Sequence, residues 1–209
     1  MENRSSYILV VLLAIVFASC NGQKEKKKLP IMGRTEIDGT DTVHHTIADF
    51  KFVDQDSNWV STETFKDKIY VADFFFTSCP TICPVMKAQM LRVYDSIQNK
   101  PDVLILSHTI DPKHDTVAVL KEFADRLGVE SSKWHFVTGE KDDIYKIGQT
   151  SYMVSASEDP AEPGGYIHSG AFILVDKERR VRGLYDGTKP DQVDRLINDI
   201  DVLLQEYEK

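Results

Sequence analysis

Cysteine is scarce in this chain: there are three in 209 residues, at positions 20, 79 and 83. That excludes a disulfide-built scaffold, and the lack of a second Cys/His pair at zinc spacing excludes a zinc finger. No repeat or low-complexity tract follows residue 30, so repeat architectures drop out. An excess of positive charge is missing as well. The formal net charge of −8 argues against nucleic acid as a partner. The longest apolar run, Tyr7 to Ala18, falls short of the roughly 18–20 residues that a bilayer-spanning helix needs.

A run of that length suits the apolar core of an export signal, and Phe17-Ala18-Ser19-Cys20 resembles a lipoprotein cleavage box. We expect a lipoprotein-type signal peptide over residues 1–19 and lipidation of Cys20. The rival is an uncleaved membrane anchor. Either places the protein outside the cytoplasm, held to a membrane of the bacterial cell envelope. Gln23 to Lys28 (QKEKKK) has nothing to bury and extends the tether. A flexible linker is expected over 20–41, unstructured to about Thr40, with one domain over 42–209.

With Cys20 assigned to lipid, Cys79 and Cys83 remain as an even pair in an oxidising compartment. A lone bridge closing three intervening residues would remove little unfolded-state entropy, so a purely structural disulfide explains the pair poorly. The remaining chemistries are dithiol/disulfide exchange and the holding of a soft metal.

The element pattern alternates. Phe50 to Val53 and Trp59-Val60 suggest a hairpin around a polar turn. Lys68 to Phe76 and Val103 to Ile110 read as buried strands, and Trp134 to Val137 as a short one. Helical spacing covers Pro84 to Ile97, Asp115 to Leu127 (Asp115 capping, Gly128 ending it), Lys141 to Gly148 and Pro190 to Tyr207. Ala171 to Val175 and Val181 to Tyr185 form a late hairpin. This order predicts an α/β domain of thioredoxin-like type: a central mixed sheet flanked by helices, with an N-terminal β-hairpin extension.

The dithiol follows a strand and opens a helix. The free N–H groups of a helix start favour thiolate, so the pair is expected to titrate below a free thiol. Pro80 biases Cys79 to an extended conformation, and Pro84 is tolerated in a first helical turn. Two sulfurs rarely saturate a metal. Of the six histidines, His44 and His45 precede the first strand of the domain, His108 and His135 read as strand residues, and His114 as a solvated turn residue. His168 stands apart, in Pro163-Gly164-Gly165-Tyr166-Ile167-His168-Ser169-Gly170, directly before a buried strand. In a thioredoxin-like fold that loop faces the active-site helix, which makes His168 the candidate third ligand. Two thiolates and an imidazole suit copper, Cu(I) above all, with Cu(II) accessible through the nitrogen.

Two acids are candidates near the site. Asp73, six positions before Cys79, could exchange protons with the dithiol if its burial raises its pKa, or could be a structural acid in the sheet. Asp111 before Pro112 could support His168, or simply form a turn. Met86 and Met90 carry thioethers at core spacing.

These motifs together resemble the Sco/SenC copper-binding proteins of cytochrome oxidase assembly, over about residues 42 to 209. The resemblance rests on Thr77-Ser78-Cys79-Pro80-Thr81-Ile82-Cys83-Pro84, on Thr109-Ile110-Asp111-Pro112 with Asp115-Thr116, on Trp134 and Gly139, and on His168-Ser169 before Phe172 to Asp176. It implies one copper bound by Cys79, Cys83 and His168. It also implies copper delivery to, or thiol reduction of, the dinuclear copper site of oxidase subunit II or another extracytoplasmic copper protein. Where many members of that family carry an acid between the cysteines, this chain has Thr81. The alternative function is an extracytoplasmic thiol-disulfide oxidoreductase. Against it, Ser78 rather than Trp precedes Cys79, and the nearest proline before the final hairpin is Pro163.

Overall fold

The computed structural model describes residues 28–159 and 166–208. Eleven strands and four α-helices occur among them. Two short strands, β1 (Thr35–Asp38) and β2 (Asp41–His44), form a separate antiparallel hairpin. The main sheet comprises β3 (Lys51–Asp54), β4 (Trp59–Ser61), β5 (Ile69–Phe75), β6 (Val103–Thr109), β7 (Trp134–Thr138), β10 (Ala171–Val175) and β11 (Val181–Asp186). Its order is β11-β10-β5-β6-β7-β3-β4. A third small sheet pairs β8 (Ala156–Glu158) with β9 (Tyr166–His168). The helices are α1 (Cys83–Ser96), α2 (Val117–Leu127), α3 (Lys141–Thr150) and α4 (Pro190–Tyr207).

The middle of the sheet is parallel: β5 pairs with β6 from Ile69↔Val103 to Phe75↔Thr109, and β6 with β7. The outer pairs, β10 with β5, β10 with β11, and β3 with both β7 and β4, are antiparallel. Every residue of β5 and β6 is buried, as expected of parallel strands covered on both faces. The sheet is therefore mixed and thioredoxin-like, with α1 following β5 as its first crossover.

Strand alternation divides the core into two faces. Asp73 and Phe75 meet Lys87 of α1, and Phe75 stacks on Phe123 of α2. On the other face Phe74, with Tyr152, lies against His108. Gly128 ends α2 at φ 69, a left-handed position where a side chain would be strained.

Three expectations need correction. Within residues 28–40, expected to lack structure, the chain is already docked on the domain. Leu29 is buried, its N–H donates to Glu206 Oε1 at 2.7 Å, and Met32 N–H donates to the Val181 carbonyl at 2.8 Å. Buried Arg182 causes this docking: its guanidinium bonds the Leu29 and Pro30 carbonyls while pairing with Asp176 and Glu206. Asp115 does not cap α2. Thr116 does, its hydroxyl accepting from Val119 N–H, because Asp115 points inward and is fully buried. The segment before β10 is not simply a loop, since its last residues form β9. The hairpin expected near residues 50–60 is present as β3–β4 at the sheet edge, and β1–β2 is a second one.

His108 is buried without a hydrogen-bond partner on either ring nitrogen among the described residues. Its ring stacks on Phe74 (centroids 4.9 Å apart) and meets Phe50 and Phe52 edge-on. Burial pushes its pKa down to about 3. The unfolded chain takes up the proton near pH 6.5 while the native state refuses it. Stability is therefore lost as pH falls from about 6.5 towards 3, by about 1.4 kcal/mol per pH unit. His108→Phe should remove this component. Urea midpoints at pH 7 and pH 5 should differ less in the variant than in the parent, by about 2 kcal/mol of stability. An unchanged difference would show that the ring is not held neutral.

Candidate metal centre at the thiol loop

β5 delivers the chain to the thiol loop, and a buried carboxylate fixes the loop there. Asp115 Oδ2 accepts from Thr77 N–H at 3.0 Å and from the Thr109 hydroxyl at 2.5 Å, while Oδ1 accepts from the Thr77 hydroxyl at 2.5 Å. One side chain thus joins the loop to the end of β6 and the start of α2. Ile110 N–H donates to the Phe75 carbonyl at 2.8 Å, continuing the β5–β6 ladder up to the site. The turn then closes with Cys79 N–H on the Phe76 carbonyl.

Cys79 and Cys83 are both in the reduced, thiol form and both largely buried. Cys83 is the first residue of α1, Pro84 sits in its first turn, and Ile82 caps it without any side-chain acceptor. The uncapped helix start leaves its N–H groups turned towards the loop. Burial alone would raise the Cys79 pKa. Hydrogen bonds from the Thr81 hydroxyl and N–H, the Cys83 N–H and the Cys83 thiol outweigh it and hold Cys79 below the ordinary thiol value. Its sulfur lies 3.6 Å from Thr81 Oγ1. Cys83 behaves oppositely: burial pushes it up to about 12, only partly opposed by the Phe76 backbone and the charge of Lys87. The expectation that both thiols titrate low therefore holds for Cys79 alone. Cys83 faces the interior, where desolvation exceeds what the helix start offers.

Beneath Cys83 runs a buried polar chain. Lys87, one helical turn on, donates to Asp73 Oδ2 at 2.8 Å and lies 3.9 Å above the Phe75 ring. Ser107 donates to Asp73 Oδ1, and Trp134 Nε1 donates to the Ser107 hydroxyl at 2.8 Å. These contacts make Asp73 a hydrogen-bonded acid of the sheet. Its observed link to the thiols runs through the Lys87 ammonium. Asp111 serves the turn: its carbonyl accepts from His114 and Asp115 N–H, and its own N–H donates to Thr109 Oγ1. Met86 and Met90 are core residues.

The backbone of His168 ends β9, paired with Ala156, and Ser169 N–H donates to the Ser155 carbonyl at 3.0 Å. The His168 side chain lies outside the described residues, as do Cys20 and Pro163. Its chain neighbours reach the thiol loop on both sides. The Tyr166 ring packs on Phe76 with centroids 5.0 Å apart. A Cβ placed on Gly170 would lie 3.6 Å from the Ile82 side chain, between the two cysteines in sequence. The other histidines are elsewhere: His45 Nε2 bonds the Ser151 carbonyl, His135 Nδ1 bonds Asp54, and His114 is exposed. Among the described residues, no group of three His, Cys, Asp or Glu side chains converges as a metal cage.

The SCO1/SenC family model matches residues 38–205. The chain belongs to the SCO1/SenC family. Solved structures agree. A SCO1/SenC family lipoprotein from Bacillus anthracis is 31% identical, with a TM-score of 0.70, covering 77% of this chain and 95% of that one. BsSco, described as having a disulfide switch and as a member of the Sco family of cytochrome c oxidase assembly proteins, is 31% identical with a TM-score of 0.66; coverage is 76% and 93%. Copper-bound ScoI of Bradyrhizobium japonicum is 22% identical, with a TM-score of 0.61 and coverage of 74% and 98%, and supports the fold alone.

Within this SCO1/SenC chain, sequence motifs located the thiol pair but missed the groups that hold it. Thr77 and Lys87 carry no local signal of contact, because their partners Asp115 and Asp73 lie 38 and 14 positions away. Thr77, Thr109 and Asp115 stood out only as parts of family motifs, with no sign that they bond one another.

Asp115→Asn keeps the shape but turns an amide N–H₂ towards donors. It should cost about 1.5–3 kcal/mol, the range for a hydrogen bond to a charged group. Amide exchange at Thr77 and Cys79 should accelerate more than in β6. Equal acceleration everywhere would mean that Asp115 supports the whole domain rather than the loop.

Proposed function

We propose that this protein binds one copper ion through Cys79, Cys83 and His168 and passes it to an extracytoplasmic copper protein. The dinuclear copper site of cytochrome c oxidase subunit II is the leading recipient. The carrying observation is the pair of reduced sulfurs at the start of α1, with the chain on both sides of His168 packed against their loop. Two thiolates and one imidazole form a soft donor set that suits Cu(I). Copper is cargo here, so the site must also let go. Three protein donors leave room for an incoming ligand from the recipient. Thr81 contributes a neutral hydroxyl beside Cys79 where an acid would add charge. The Cys79 nest of N–H groups stabilises one thiolate before metal arrives, and Cys83 loses its proton as the metal binds.

The unequal thiols favour a second reading, thiol-disulfide exchange with the recipient's cysteines. Cys79 thiolate would attack a partner disulfide, forming a mixed disulfide. Cys83 would then displace the partner's second thiol, leaving Cys79–Cys83 oxidised and the partner reduced by two electrons.

Anaerobic Cu(I) titration of the reduced protein against a chromophoric chelator tests the first reading. The thiol-loop copper should vanish in Cys79→Ser and Cys83→Ser and weaken at least tenfold in His168→Ala. Undiminished affinity in His168→Ala would remove that residue from the ligand set. Full reduction of an oxidised partner without any copper binding would leave only the exchange reading.

We place the protein outside the cytoplasm, on a lipid carried by Cys20. The docked Leu29–Met32 segment supports a directed tether. The β5, β10 and β11 registers put Val181 level with the start of β5, whereas the thiols follow its end. The domain would hang with the thiol loop on the side away from its attachment. Cys20→Ala should abolish lipid labelling and release the protein into the soluble fraction. Unchanged labelling and membrane association would contradict the anchor.

A further inference from the structure

A second cluster of soft donors lies apart from the thiol loop, between the β1–β2 hairpin and the end of α3. There, Arg34, Glu36, Val43, His44, His45, Thr150 and Met153 line a cavity of about 650 Å³. Three features set it apart from an ordinary surface cleft. His44 Nδ1 is buried without a hydrogen-bond partner among the described residues, although a buried nitrogen of this kind ordinarily finds one. His45 Nε2 lies 2.8 Å from the Ser151 carbonyl, which can only accept. The neutral ring therefore carries its proton on Nε2 and keeps a lone pair on Nδ1. A backbone carbonyl holding one imidazole nitrogen so that the other can bind is the usual support for a metal-ligating histidine. Gly33, at φ 99, walls the same ring: a Cβ there would come within 2.8 Å of His45 Cβ. Met153 is also in a left-handed conformation, φ 58, unusual for an unbranched non-glycine residue, and its side chain remains partly exposed at the cavity.

We infer that this cavity is a second, thiolate-free Cu(I) site, with His44, His45 and the Met153 thioether as its ligands. Two imidazoles and a thioether are too soft for magnesium or calcium, and thioethers select Cu(I) among the common ions. The lack of three converging His, Cys, Asp or Glu groups among the described residues argues against a closed zinc cage here. Met153 lies two residues before Ser155, whose carbonyl holds Ser169 beside His168. The cavity and the thiol loop are thus joined by one short stretch of chain, and the weaker, thioether-bearing site is suited to loading or unloading the other.

Full-length protein carrying both Cys79→Ser and Cys83→Ser isolates this site from the one proposed above. Anaerobic Cu(I) titration should show two equivalents in the parent and one in the double variant. Adding His44→Ala or Met153→Leu should weaken that remaining equivalent at least tenfold while leaving the far-ultraviolet circular dichroism unchanged. X-ray absorption of the double variant should show nitrogen scatterers with one sulfur. No copper in the double variant, retention after both added substitutions, or a sulfur-free coordination shell would overturn the proposal. In the parent background, His44→Ala should retain one equivalent. Loss of that equivalent as well would overturn the assignment of separate sites, while a parent lacking only the thiol-dependent equivalent would count against the thiol-loop reading alone.

Discussion

Asp115 is the constraint on which the thiol loop depends. A charged group buried this deeply persists only when its lone pairs are filled, and three donors from Thr77 and Thr109 fill them. The cost of leaving any of them unpaired forces the end of β5, the end of β6 and the start of α2 into a single arrangement. The two sulfurs are presented by that junction, so their position is set by hydrogen bonding outside the C-x-x-x-C motif itself.

The same economy of polar groups makes the two thiols unequal. Cys79 sits where N–H groups and the Thr81 hydroxyl converge, and Cys83 where the core begins. Lys87 mediates between core and site, its ammonium held by Asp73 under the aromatic face of Phe75. Losing Asp73 would strand a buried charge one helical turn from Cys83. The thioredoxin-like frame of this SCO1/SenC member therefore supplies both a rigid thiol platform and graded electrostatics, which suit ion transfer and electron exchange alike.

At the opposite end of the sheet, Arg182 performs the corresponding task for the N-terminal segment. Its pairs with Asp176 and Glu206 leave donors that only the Leu29 and Pro30 carbonyls satisfy. An otherwise featureless stretch becomes part of the domain. The β1–β2 hairpin that follows brings His44 and His45 against the end of α3, far in sequence from any motif.

Much was already written in the order of residues. The largely apolar segments of β5 and β6 already read as buried strands, and the limits of α4 match its Pro190 start and apolar stripe. The thiol pair, its softness as a donor set and the family motifs were equally legible, because each rests on neighbours in the chain. Tertiary structure alone decided that Asp115 braces rather than caps, that Asp73 answers to Lys87, that Cys83 titrates high while Cys79 titrates low, and that Leu29 docks. Each of these depends on burial and on partners distant in sequence. Desolvation and long-range hydrogen bonding come into being only when the chain has closed on itself.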